Sequence, residues 1–337
     1  GAIKFFLLGV LSASLILYGF SLLYGLTGEL IFSEISKILL VNNLSTSPAA
    51  LLSVMLILAG IGFKISVVPF HSWAPDTYEG SPLPVTAYLS VSSKATGFVA
   101  LMIILTKVFP DSGSSWGIVL VFISGLTMFI GNLSALQQSN PVRLLAYSSI
   151  AQAGFILAPL AVAGISGDYA DGIYASVTYL IIYAFMNLGA FLVVNVLINT
   201  SGSNDIYEWG GLAKHQPLTA IFATVFFFSL AGIPPLGGWF AKFVVFRSLL
   251  STGEVYGITL AIIGAINAVI GLVFYARISK IIWMDSPSEN ITINTKPVLL
   301  SPLKVVGFIS LVITFLAGIF PNIFSNLGNA SALFFNS

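Results

Sequence analysis

No side chain between Ile38 and Phe63 is charged, a run of 26 residues, and much of the remaining chain is built from stretches of the same kind. About 20 apolar residues suffice to cross a hydrocarbon layer of about 30 Å at 1.5 Å rise per residue. Nine such stretches can be marked, at about 3–25, 47–70, 84–107, 116–137, 143–164, 173–198, 218–250, 256–283 and 301–322. They are too long for strands, and they lack the two-residue alternation of the roughly 10-residue segments that make membrane barrels. The expected class is all-α: a polytopic transmembrane bundle of about nine helices, forming a single domain over residues 1–337. Composition agrees, since 7% of residues are charged where soluble domains carry about 25%.

The longest gap between spans, about 284–300, is polar and too short to fold alone. There is no cysteine, which excludes disulfides, thiol-attached haem, cysteine-held iron–sulfur clusters and zinc thiolate sites. No glycine-rich nucleotide loop follows a strand and no metal-ligand cluster is visible, so no cofactor is expected in this chain, and no nucleic acid partner. The first residue is Gly1 and the first span begins at once, which leads us to expect that the natural N-terminus lies further upstream. Lys4, Arg143, Lys214, Arg277, Lys280, Lys296 and Lys304 sort to one side of the bundle, against Lys37, Lys107 and Arg247 on the other. The richer side is expected to be cytoplasmic.

The carboxylates all fall in loops or at span ends, but three lysines do not. Lys64 lies deep in the second span, Lys94 about ten residues into the third, and Lys242 in the seventh. A lysine at a helix centre costs about 2.5–3.5 kcal/mol and usually faces a bundle interior or a water-filled cavity. The alternative for each is snorkelling, in which the aliphatic stem carries the ammonium to the headgroups.

Prolines accompany two of them. Pro69 follows Lys64, and Pro234 with Pro235 precedes Lys242. A proline inside a helix removes one N–H and crowds the carbonyl four residues back, which would free the carbonyls of Ile65, Leu230 and Ala231. Broken backbone at membrane depth is tolerated where it is buried in protein or lines water, and paired breaks point to inverted repeats around a transport site; an ordinary kink is the other reading. Burial lets a lysine exchange its proton near neutral pH. Lys64 and Lys94, on consecutive spans, are expected to face each other or share a water chain. Ser90, Ser93, Thr96, Tyr147, Ser148 and Gln152 could extend the route, as could Tyr179, Tyr183 and Asn187, whose four-residue steps put them on one helix face. The same residues serve equally well as helix–helix contacts. His71 could titrate near neutral pH, or, beside an interfacial Trp73, act as an anchor or a buried hydrogen bonder.

The segments FKISVVPFHSWAPDTYEGSPLPVTAYLSVSSKA, NPVRLLAYSSIAQAGF, YAFMNLGAF and SLAGIPPLGGWFAKF closely resemble the subunit N family of proton-pumping NADH:quinone oxidoreductases (complex I). That family takes in subunit 2 of the mitochondrial enzyme and the corresponding subunit in plastids and cyanobacteria. The likeness runs over essentially the whole chain. It implies an antiporter-like fold of 14 helices with two inverted five-helix repeats, of which these spans would be helices six to fourteen. It implies that Lys64 and Lys94 are the lysines of the broken seventh and the eighth helices, that Lys242 is the lysine of the broken twelfth on the outlet side, and that His71 is the histidine beside the first break. The family's essential glutamate, on its fifth helix, would precede Gly1, so the chain alone is not expected to pump. Val142 with Arg143 replaces the Lys-Arg pair of many relatives, and Gln152 stands where a histidine is frequent, as it does in cyanobacterial and plastid relatives.

The resemblance thus implies a translocase subunit that moves protons along a lysine and water axis, coupled to quinone reduction elsewhere in the complex. NADH, flavin, iron–sulfur clusters and quinone would sit on other subunits. Its partners would be other membrane subunits, antiporter-like ones among them, and the lipid of a bacterial plasma membrane or thylakoid-type membrane. A subunit of a multisubunit cation/proton antiporter or of a membrane-bound hydrogenase is the alternative.

Overall fold

The structure is a computed structural model describing residues 1–286 and 301–336. In chain order its helices are α1 (Ala2–Thr27), α2 (Phe32–Val41), α3 (Pro48–Ile65), α4 (Ala74–Gly80), α5 (Leu83–Tyr88), α6 (Lys94–Lys107), α7 (Gly113–Leu136), α8 (Pro141–Ser166) and α9 (Tyr169–Ser201). They continue with α10 (Leu212–His215), α11 (Pro217–Ala231), α12 (Gly237–Ser251), α13 (Val255–Met284), α14 (Ser301–Ile319) and α15 (Asn322–Asn336). A π-helical turn, Leu89–Ser93, joins α5 to α6, and no strand occurs among the described residues.

Seven helical stretches are long and apolar enough to cross a bilayer, one of them the α5–α6 stretch, and α14 with α15 forms a further pair bent by 87°. The remaining expected span, 218–250, is divided into α11 and α12. The chain is therefore an integral membrane protein of the expected class. The structure differs from the sequence reading at several places. The second helix stops at Ile65 rather than running to 70, and α2, α4, α10 and α15 are helices where none was expected. Lys296 and the side chain of Lys304 lie outside the described residues.

α8 is the hub, with 94% of its apolar window buried. It starts at a strong signal: Asn140 accepts hydrogen bonds from the backbone N–H groups of Val142 (2.9 Å) and Arg143 (3.2 Å), and Pro141 occupies the first helical position. Small residues let α7 lie against it. A Cβ on Gly131 would stand 2.5 Å from the Ala151 nitrogen, and the Ser124 hydroxyl donates to Gly154 O at 2.8 Å. α9, α12 and α13 also pack on this helix, so polar side chains on α8 and α9 are enclosed by protein.

The expected sidedness fits the contacts. Lys4 Nζ meets Asp76 Oδ2 at 2.7 Å, while Arg143 Nη1 bridges Asp76 Oδ1 (3.0 Å) and Glu79 Oε2 (2.7 Å). Arg277, from the same predicted side, reaches Gln138 O at 3.4 Å. Arg247, from the other side, pairs with Asp171 at 3.6 Å.

Candidate functional site

Both expected breaks are complete helix ends. α3 terminates at Ser66, whose φ of 59° is left-handed; Ser66 N donates to Phe63 O (3.1 Å) and Val67 N to Gly62 O (3.0 Å). The Trp73 indole N–H also donates to Phe63 O, at 2.9 Å, and Val68 N donates to Thr127 Oγ1 at 3.0 Å. Trp73 is 1% exposed, so it seals the helix end rather than anchoring an interface as its sequence position suggests. α11 ends in the same way at Gly232, with φ 94° and both Gly232 N and Ile233 N donating to Phe228 O at 3.0 Å. The Val68–Pro69 and Pro234–Pro235 peptide bonds are cis.

The lysines fare differently. Lys64, in the last turn of α3, is exposed and makes no hydrogen bond or ion pair with any described residue. Its Cβ lies near Gly97 of α6, one turn from Lys94, yet the two amines share no hydrogen-bond partner. Lys94 is the first residue of α6, directly after the π turn, and is 1% exposed. Its ammonium donates to Ser149 O (2.8 Å) and Ser149 Oγ (2.5 Å). The Tyr183 hydroxyl donates to the same Ser149 Oγ at 3.0 Å, and Asn187 Nδ2 donates to Ser90 Oγ at 2.7 Å.

Lys242, on α12, is 6% exposed and reaches back across the second break. Its ammonium donates to Ala231 O at 2.6 Å and Leu230 O at 3.2 Å, two carbonyls that Pro234 and Pro235 were expected to free. It also lies 5.2 Å from the Phe155 ring centroid. Gln152 Nε2 donates to that same Leu230 O at 3.2 Å, and the Tyr179 hydroxyl donates to Gln152 Oε1.

Ser149 and Gln152 sit three residues apart on one face of α8, so the helix carries a polar line with one buried amine at each end. Tyr179, Tyr183 and Asn187 border it from α9, as their spacing predicted, and the Ser148 hydroxyl meets that of Tyr275 on α13. Hydroxyls both donate and accept, whereas an ammonium only donates and a neutral amine can accept. The line therefore sets exchangeable hydroxyls against Lys94, while Gln152 and Lys242 meet as two donors on Leu230 O; no hydrogen bond joins Ser149 to Gln152 among the described residues. His71 stands apart from it, half-buried, with Nδ1 unpartnered. Thr96 is exposed and donates to Ser92 O at 3.0 Å. Ser149, Tyr275, Phe155 and the π turn escaped sequence reading; choosing Ser149 over Ser148 requires the rotational phase of α8.

The family model described as "NADH:quinone oxidoreductase/Mrp antiporter, TM" matches residues 1–271. NADH-quinone oxidoreductase subunit N of Moorella thermoacetica is 40% identical over 99% of this chain and 67% of its own length. NAD(P)H-quinone oxidoreductase subunit 2 of a Picosynechococcus species is 41% identical over 95% of this chain and 61% of its own length. A chain of respiratory complex I from Thermus thermophilus, solved with bound aureothin, superposes with a TM-score of 0.76 at 28% identity, covering 96% of this chain and 68% of that one. The chain thus spans about two-thirds of the length of the proteins it matches.

Proposed function

Because the chain belongs to the NADH:quinone oxidoreductase/Mrp antiporter transmembrane family, we propose that it acts as the proton-conducting part of an antiporter-like membrane subunit in a complex I-type quinone oxidoreductase. Protons pass from the cytoplasmic side to Lys94, along Ser149, the α9 hydroxyls and intervening water past Gln152, and leave from Lys242 toward the opposite side. Lys64 is exposed and has no hydrogen-bond or ion-pair partner among the described residues. Electron carriers and quinone belong to neighbouring subunits, and other membrane subunits are the partners.

The observation that carries this reading is the shared acceptor: Gln152 and Lys242 both donate to Leu230 O, which ties the α8 polar line to the second amine. Two buried amines along one polar helix face are costly to place in a bundle, and exchangeable side chains beside them serve proton transfer. The test is Lys94→Ala in the full-length protein within its assembled complex, assayed for quinone reduction and proton uptake into vesicles. Proton uptake is expected to collapse; intact assembly with parental uptake would remove the channel role. The family description also covers Mrp antiporters, and the subunits that co-purify with the chain distinguish that assembly from an oxidoreductase.

A further inference from the structure

Lys94 follows directly on the π turn Leu89–Ser93. Turns of this kind are rare and occur mostly singly, inside α-helices at functional sites. The Lys94 N–H donates to Val91 O, three residues back, rather than to Ser90 O, its partner in an unbroken α-helix. Relaxed to α-helical spacing, the turn would rotate Lys94 by about 100°, one residue's share of a 3.6-residue turn, and carry its ammonium off Ser149. The place of the amine therefore depends on what keeps the turn from relaxing.

Ser90 is where the turn is held. It is fully buried, and its hydroxyl donates to Ala87 O at 2.8 Å while accepting from Asn187 Nδ2 at 2.7 Å. Its carbonyl, which the Lys94 N–H passes over, lies 3.4 Å from the Tyr183 hydroxyl, and that hydroxyl is shared with Ser149 Oγ at 3.0 Å. Tyr183 and Asn187 are one turn apart on α9. One face of α9 thus grips both the π turn and the residue that accepts from Lys94, whose ammonium stands 2.8 Å from Ser149 O. Asn187 holds its place at a cost, since its Oδ1 is buried and unpaired, which an apolar side chain of similar shape would avoid. What the amide supplies in return is the donor to Ser90.

We propose that Ser90, pinned by Asn187, is the positioning residue that keeps the π turn in register and so sets the Lys94 ammonium on Ser149. This deepens the lysine route proposed above and rests on it. Neither Ser90 nor Asn187 carries the proton: Asn187 fixes the Ser90 hydroxyl, Ser90 fixes the turn, and the turn aims the lysine.

The test uses the full-length protein in its assembled complex, with proton uptake into vesicles measured per assembled complex. Alanine at position 90 removes the hydroxyl and leaves the space, whereas threonine keeps a hydroxyl able to bond the carbonyl three residues back and adds a methyl. Positioning predicts a fall of about tenfold or more in Ser90→Ala, toward the roughly hundredfold cost of a misplacement of about 1 Å at a reacting group, with uptake restored in Ser90→Thr. A packing role predicts threonine as poor as alanine or poorer, because a buried methyl overpacks where alanine fits, and that order overturns the proposal. Asn187→Leu breaks the same bond from α9, so its loss should match that of Ser90→Ala, and the double variant should fall no further; losses that multiply overturn the link between the two. Parental uptake in Ser90→Ala with uptake lost in Lys94→Ala overturns the positioning role alone. Parental uptake in Lys94→Ala overturns the lysine route and the positioning role with it. Should Ser90→Thr or Asn187→Leu fail to assemble, the other comparison decides alone by the same outcomes.

Discussion

The two helix breaks begin alike and finish differently. Each starts with a left-handed residue, Ser66 or Gly232, and each folds the following N–H groups back onto the helix just ended. At the second break the geometry is then closed. Lys242 and Gln152 take the last carbonyls of α11, Gly238 N donates to Ser229 Oγ at 3.1 Å, and α14 comes so near that a Cβ on Gly318 would stand 1.8 Å from Pro235 O. At the first break the carbonyl of Phe63 is sealed by an indole, the lysine is left on the surface, and four side-chain atoms between Ser66 and Tyr78 remain unpaired. One device, a helix stopped by its own backbone, thus fixes an amine in one place and leaves a polar, unsatisfied seam in the other. A helix C-terminus attracts cations through its free carbonyls, so both lysines sit where the backbone favours them, but only one is held by protein.

The largest expected effect tests that asymmetry directly. Lys242→Ala strips Ala231 O of its donor and leaves a buried acceptor unpaired, at about 1–3 kcal/mol, whereas Lys64→Ala removes no described contact and should stay within about 0.5 kcal/mol. Thermal unfolding of the assembled complex reads both, and equal losses would dissolve the contrast between the breaks. Next in size is Gly232→Ala. A side chain at φ 94° is strained, and its Cβ would lie 2.8 Å from Lys242 Cδ, so a loss of about 1–2 kcal/mol is expected, with proton uptake falling as the ammonium is displaced.

A smaller effect belongs to the charged face of α4. Lys4 first, and Arg143 with it, hold the Asp76 carboxyl below its ordinary range against the opposing pull of burial. A carboxyl depressed in the folded state contributes stability above its unfolded value and loses it as pH falls through the folded one. The ion pairs are therefore present at neutral pH and fail only on the acid side of the usual aspartate range. Since these groups are part-exposed, their worth is about 1 kcal/mol or less. Asp76→Asn should lower stability slightly at neutral pH and flatten the acid limb of a stability-versus-pH curve; an unchanged acid limb would show that α4 is not held by this cluster.

Much of this architecture is legible in the sequence. Apolar length alone marks the spans, because a membrane leaves helices few alternatives. Proline arithmetic identifies the carbonyls of Leu230 and Ala231, and the four-residue step identifies the α9 face. What stays hidden depends on rotation and on tertiary sealing. Ser149 and Ser148 are indistinguishable until α8 is phased against α6, Trp73 reads as an interface residue until Phe63 O is found beneath it, and the π turn before Lys94 has no sequence mark. Lys64 and Lys94 are expected to face each other or share a water chain; their helices pack, with Lys94 buried and Lys64 exposed, a difference in depth that the sequence does not mark.

The smallest expected effect is the sharpest check on the comparison. If the breaks differ only in how they are finished, their first residues should respond oppositely to substitution. Ser66 holds a left-handed backbone that costs a side-chain-bearing residue about 1–2 kcal/mol, while glycine there forfeits about 0.5–1 kcal/mol through its freer unfolded chain. Ser66→Gly should therefore stabilise by about 0.5 kcal/mol, the net of those two terms, and its unpaired hydroxyl adds nothing to be lost. Thermal unfolding of the assembled complex should rise slightly in Ser66→Gly and fall in Gly232→Ala. A clear loss in Ser66→Gly would mean that the Ser66 hydroxyl has a partner in the assembled protein, and that the first break is closed there as the second is closed here.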